Sequence, residues 1–237
     1  SEAVCFLANA LSYLFLIVVL SGDGVAGQPA VAPIKTSLAI ALREGFHFAW
    51  STPAIRTALV SLAILNATAS SAIVLMPIYA AEVFGGDARS LGWLLGSAGA
   101  GAMSATALLA SHMNLQGVAR SVWIGWLCGG VGLGGLGAVQ EAGLAMPLLF
   151  LLGAGIATTN VSTNSLLQGM TPDPLRGRVI SLFAALRFGM DAAGGLIAGV
   201  LAQRLGPVAT VMTEATLLAA ALIWLAPRLR TLHHQVA

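Results

Sequence analysis

The chain has 237 residues, of which 57% are hydrophobic and 8% charged, whereas soluble domains carry roughly 25% charge. A soluble surface cannot be built from so few charged side chains, and a formal net charge of +2 is too small to point to a nucleic-acid partner. What remains is a multi-pass membrane protein, because a bilayer core about 30 Å thick requires roughly 20 apolar residues for each helical crossing.

Seven stretches meet that requirement: 3–20, 57–79, 91–111, 121–139, 146–168, 179–202 and 208–226. They are rich in Gly and Ala, which argues against barrel strands and for helices whose backbones approach through small residues. The expected fold class is therefore all-α, a polytopic membrane helix bundle. The first stretch follows Ser1-Glu2-Ala3, with no Met and no basic segment before it. This is not a secretory signal pattern, and the start reads as a fragment or a processed end. Between the first two stretches lies the one long connection, 21–56, with Gln28-Pro29 and Ala32-Pro33. Beyond them Ile34, Leu38, Leu42, Phe46 and Trp50 recur every four residues, while Lys35, Arg43, Glu44 and His47 fall elsewhere. That spacing predicts an amphipathic helix, either lying in the membrane interface or covering one end of the bundle. In the fourth stretch the run Gly129-Gly130, Gly132, Gly134-Gly135 and Gly137, and in the sixth Gly195 and Gly199, mark the expected close helix contacts. Cys5 and Cys128 both sit in apolar surroundings, where a thiol behaves as a small hydrophobe.

Assigning alternate connections to alternate sides places Lys35, Arg43, Arg56, Arg120, Arg176, Arg178, Arg228 and Arg230 on one side and Arg89 and Arg204 on the other. Cytoplasmic loops carry the excess of Lys and Arg, so the long connection and the tail, 227–237, are expected in the cytoplasm.

An ionisable group inside a span costs about 2.5–3.5 kcal/mol or more, and normally faces a cavity or a partner. Arg187, Asp191 and Glu214 qualify. Arg187 and Asp191 are four residues apart on one helix face, so each can neutralise the other. Protonation of Asp191 that breaks the pair would serve proton coupling; a permanent pair would be structural; the sequence leaves both open. Glu214 lies near one end of its span, within reach of the outer interface. The fifth stretch carries Thr158, Thr159, Asn160, Ser162, Thr163 and Asn164, closed by Gln168, and the second carries Asn66, Thr68, Ser70 and Ser71. Buried amides need partners, either a hydrated substrate path or neighbouring helices.

The segment Gln168-Gly169-Met170-Thr171-Pro172-Asp173-Pro174-Leu175-Arg176-Gly177-Arg178-Val179-Ile180-Ser181-Leu182 resembles the cytoplasmic loop between helices ten and eleven of major facilitators. The likeness is to the bacterial transmembrane secretion effectors and siderophore or drug exporters, whose pattern is Gln, a short gap, Pro, then Arg-Gly-Arg-Val-x-Ser. Phe6 to Tyr13, Arg43-Glu44-Gly45-Phe46, Thr52-Pro53-Ala54-Ile55-Arg56, Met76-Pro77, Leu91-Gly92 and Gly99-Ala100-Gly101 continue it in register. The loop 111–120, with His112, Asn114, Gly117 and Arg120, departs from the family's second gating motif. The resemblance implies that 1–20 corresponds to helix six of twelve and 57–226 to a six-helix C-terminal domain of two inverted three-helix repeats, with the N-terminal half missing. It further implies that the second and fifth stretches line the central cavity. Asn66, Asn160, Asn164 and Gln168 are then substrate-path candidates, Arg187, Asp191 and Glu214 coupling or gating candidates, and Pro172, Arg176, Gly177 and Arg178 a cytoplasmic loop motif.

The function so implied is secondary active efflux of a small amphipathic compound across the cell inner membrane by alternating access, with proton antiport. It needs no cofactor or metal. The expected partners are membrane lipid, a small-molecule substrate, protons and the missing half. An enzyme is disfavoured because His47, His112, His233 and His234 all lie in loops or the tail, so no span pairs a His with a nucleophile or a metal set. A retinal protein lacks its Schiff-base amine, since the only lysine is Lys35. A pore-forming or structural membrane protein, or an inactive fragment, stays as the rival.

Overall fold

The computed structural model describes residues 2–20, 38–112 and 117–236. Expectations for Gln28, Pro29, Ile34, Lys35 and Asn114 fall outside these, as do those for the side chains of Cys5, His112, Arg230, His233 and His234. Residues 1–37 and 38–237 form two separate units. The first contains helix α1 (Glu2–Leu20), in which the Ser12 hydroxyl donates to the Asn9 carbonyl at 2.7 Å.

The regular elements of the second unit are all helices among the described residues: α2 (Leu38–Ser51), α3 (Pro53–Leu65), α4 (Ser71–Ile78), α5 (Ala88–His112), α6 (Val118–Ala138), α7 (Ala142–Met170), α8 (Asp173–Leu205) and α9 (Pro207–Val236). α3 and α4 are one continuous span, Pro53–Val83, joined by a π-helical turn at Asn66–Ser70 and followed by another at Tyr79–Val83. With α5 to α9 they make six helices long and apolar enough to cross a membrane among the described residues. The helices overrun the apolar stretches. α7 reaches Met170 and α8 begins at Asp173, so the expected loop shrinks to Thr171-Pro172. Pro172 is the N-cap residue of α8, and Arg176, Gly177 and Arg178 lie inside its first turns rather than in a loop. The cause is local: Pro174 sits where the first helical turn has no N–H to lose, and Asp173 favours a helix N-terminus. Hydropathy reports where a helix leaves the hydrocarbon, which is not where it ends. The same holds for α9, which carries the expected tail on as helix through Pro227 to Val236.

The turns between spans are set by residues that stop helices. Gly206 (φ +84°) bends α8 into α9, and Gly85 (φ +60°) stands before α5, both in the left-handed region open to Gly. Asp87 caps α5, accepting from the backbone N–H and the hydroxyl of Ser90 at 3.0 Å each. Those bonds, the backbone one foremost, hold its carboxyl below the usual range.

α7 is the axis of the bundle and meets its neighbours through missing side chains. Gly125 of α6 faces Gly155 and Thr159; Gly132 faces the backbone of Leu148 and Leu152; Gly101 of α5 and Gly153 of α7 face the backbone of Phe150 and Ala98. Gly130 of the predicted run has nothing near it, because its face of α6 turns away. In α8 the close approach is made by Gly194, against the Ala67 backbone, while Gly199 meets nothing within 4 Å. Trp126, Leu65, Tyr79, Leu94, Leu133, Leu149 and Leu152 are fully buried among these contacts.

α2 packs through Gly45 and Ala49, both buried. A Cβ on Gly45 would come within 2.9 Å of the Arg178 Cβ, which brings the start of α8 against α2 and lets Arg178 pair with Glu44. The predicted apolar stripe faces outward: Leu42, Phe46 and Trp50 are each 53% exposed, with Phe46 and Trp50 stacked at 5.6 Å. Replacing Arg178 by Ala is expected to speed hydrogen exchange of the Leu38–Ser51 amides by up to about five-fold, for a partly exposed pair worth at most ~1 kcal/mol. Unchanged exchange would assign the hold on α2 to the Gly45 approach alone.

Candidate functional site

The second span is irregular where its sequence is polar. The Asn66 amide donates to the Leu62 carbonyl at 2.8 Å, and the Thr68 hydroxyl to the Ile64 carbonyl at 2.8 Å. Side chains thus take up carbonyls of the helix itself, which is how a membrane helix tolerates a break in its ladder. Pro77, which has no N–H to give, precedes the second π turn. Single π turns of this kind recur at functional sites. Here the first one carries Ser70 and Asn66 towards α7 and α8.

A cavity of about 560 Å³ lies there, walled by α4, α5, α7 and α8. Its polar surface comes from Ser70, Thr106, Asn160, Arg187 and Asp191, and its apolar surface from Ile73, Val74, Leu95, Ile156 and Val161 with the small residues Ala98, Gly99 and Gly153. That mixture, mostly apolar with a few convergent polar groups, is the usual make-up of a small-molecule site.

Of the predicted substrate-path residues, Asn160 lines the cavity and Asn66 stands directly behind it. The two amides bond reciprocally, Asn66 Nδ2 to Asn160 Oδ1 at 3.1 Å and Asn160 Nδ2 to Asn66 Oδ1 at 3.5 Å. Ser70 Oγ donates to Asn66 Oδ1 at 3.4 Å. Such bonds average about 0.6 kcal/mol within membranes, so the pair orients Asn160 more than it stabilises the bundle. Asn164 and Gln168 lie one and two turns further along α7 and do not line the cavity; Gln168 is exposed.

Arg187 and Asp191 both face this cavity. They share a helix face, yet their charged groups form no ion pair within 4 Å, the ion pairs among the described residues being Arg176–Asp173 and Arg178–Glu44. Arg187 Nε and Asp191 Oδ1 are each buried without a hydrogen-bond partner among those residues. The Arg187 guanidinium lies 5.1 Å from the Phe188 ring centroid. Ser70 lines the same cavity beside them. Two opposite charges are thus present in one cavity, incompletely compensated.

Glu214 is not in the cavity. It is 4% exposed, within α9, and its neighbours are Ser71 and Tyr79 of the second span. Arg176 pairs with Asp173 at 2.7 Å on the surface, away from the cavity. A further cavity of about 580 Å³ lies along α2 at the start of α8, lined by Arg43, Glu44, His47 and Leu175 among others. Its polar groups are exposed, so it lacks the enclosed charges of the first. Position on a face could flag Ser70; the α5 wall is less legible, since apart from Thr106 its residues are Gly, Ala and Leu.

The chain is 26% identical over 226 residues to the multidrug efflux pump Tap of Mycolicibacterium fortuitum, an alignment that covers 92% of this chain and 54% of that protein. The chain therefore spans about half the length of that curated relative. No solved structure matches. The profile of the transmembrane secretion effectors matches residues 1–236, essentially from end to end, and the chain belongs to this family of major-facilitator-type transporters.

Proposed function

We propose that the protein exports a small amphipathic compound by alternating access, with the cavity between α4, α5, α7 and α8 as the substrate path and proton entry as the driving reaction. The observation that carries this reading is the cavity's composition: apolar walls to receive a hydrophobic body, the Asn160 amide to orient it, and two charges lacking full partners beside it. A group that exchanges partners during a cycle is one left incompletely paired at rest. The relative's description as a multidrug efflux pump supports a broad small-molecule substrate over a polymer or an ion.

Alternating access also requires a second bundle facing the cavity, and we take it to be the other six-helix half of this transporter type. Arg56 and Arg228 line one pocket with Trp50, and Arg178 pairs with α2 at that same end of α3 and α8. Under the positive-inside rule this end is the cytoplasmic one of the inner membrane, where the outward stripe of α2 would rest among lipid headgroups.

The test is transport by reconstituted vesicles loaded with an amphipathic fluorescent dye. Efflux that is saturable, driven by an imposed proton gradient and collapsed by a protonophore is the expected outcome. Ungated leak would make the protein a pore, and no flux with the complete transporter present would remove the reading altogether.

A further inference from the structure

Glu214 is the most deeply buried carboxylate among the described residues, and its Oε2 has no hydrogen-bond partner there. From α3, α4, α6 and α8, the helices packed against α9, no Lys, Arg or His nitrogen comes within 4 Å of it among the described residues. Tyr79 is the titratable side chain that acts on it, and Ser71 the hydroxyl beside it. Both hydroxyl protons are directed elsewhere, Ser71 Oγ donating to the Thr68 carbonyl at 2.5 Å and Tyr79 Oη, more weakly, to the Pro207 carbonyl at 3.4 Å. A hydroxyl has one donor and two acceptor positions, so what these groups still offer is acceptance. An ionised carboxylate can only accept, and would meet oxygen with oxygen. A carboxylic acid can donate.

We propose that Glu214 is a proton-binding site inside the bundle, carrying its proton towards the Ser71 oxygen. The site lies outside the cavity but is tied to it. Ser71 immediately follows the π turn Asn66–Ser70, whose last residue, Ser70, lines the cavity together with Asp191. Adjacent hydroxyls at the end of one irregular turn therefore lie near two acids on two different helices. Binding or loss of a proton at Glu214 bears on Ser71 and Thr68, and through the turn on the Asn66–Asn160 pair at the cavity wall.

Infrared spectroscopy of the complete protein in lipid at neutral pH tests this without any transport step, so failure here leaves the efflux proposal standing. A carbonyl-stretch band of a protonated carboxylic acid is expected, lost in E214Q, retained in D191N, and shifted in S71A, which removes the acceptor but not the acid. A band unchanged by E214Q, or absent throughout with E214Q folded like the parent, overturns the assignment. Should E214Q fail to fold, the S71A shift decides: no shift means that the proton is not held there.

Discussion

Replacing Asp191 by Asn is expected to lower gradient-driven export by at least about ten-fold, equivalent to ~1.4 kcal/mol in the coupled step, with little loss of folded protein. The substitution keeps size and shape and removes only the ability to change charge. Asp191 shares the cavity with Arg187 but makes no ion pair with it within 4 Å, so neither charge is fully spent on the other. Two measurements separate coupling from mere charge balance. If Asp191 carries the coupling proton, D191N flattens the pH dependence of export, and adding R187Q does not restore it. If the residue only offsets Arg187, the single variant fails through an unpaired buried cation, and the double variant R187Q/D191N recovers both folding and export. The non-additivity of the pair is the diagnostic quantity, because residues sharing one site couple where distant ones add.

The membrane bundle was legible because the bilayer imposes one scale on everything that crosses it, and the six spans from α3 to α9 fall where apolar length places them. Helix ends were not legible from that scale. The Arg176-Gly177-Arg178 motif lies on helix because Asp173 and Pro174 start α8 with only two residues between it and the end of α7. Spacing of four correctly put Asn160 and Asn164 on one face of α7, but a face is longer than a cavity. Only Asn160 reaches the opening, since the partner amide that fixes the depth, Asn66, lies on another helix. Glu214 shows the converse limit. Counted along the chain it sits close to the helix start at Pro207, while packing against Ser71 and Tyr79 buries it. Distance along a helix measures depth in the membrane; access to water depends on neighbours that a single sequence does not name. Of the Gly195 and Gly199 pair, only Gly195 makes a close approach, a Cβ there falling 3.2 Å from the Val74 side chain, for a related reason. Both belong to a recognised spacing, yet the rotation of α8 about its axis turns Gly199 away and brings Gly194 to the backbone contact.

The same rotational specificity yields the largest expected effect on stability. Gly153→Ala adds one methyl group, and its Cβ would fall on the carbonyl of Ala98. One turn away, Gly101 of α5 stands in the reciprocal position against the Phe150 carbonyl, so backbone meets backbone at both ends of the crossing. A flexible side chain could move aside; a carbonyl held in a helix moves only with its helix. α5 and α7 must therefore separate along the cavity they jointly wall, at a cost of about 1–3 kcal/mol for an overpacked contact. Gly130→Ala is the matched control, the same chemical change in an interior helix position with nothing within 4 Å of the new Cβ, and should stay within about 0.5 kcal/mol of the parent. Thermal or denaturant unfolding of the three proteins in one detergent makes the comparison. Equal stabilities for G153A and G130A would show that α5 and α7 are not in backbone contact at Gly153. A large loss confined to G153A would locate the tightest joint of the bundle at the cavity wall, where a change in helix spacing must also change the volume open to a substrate.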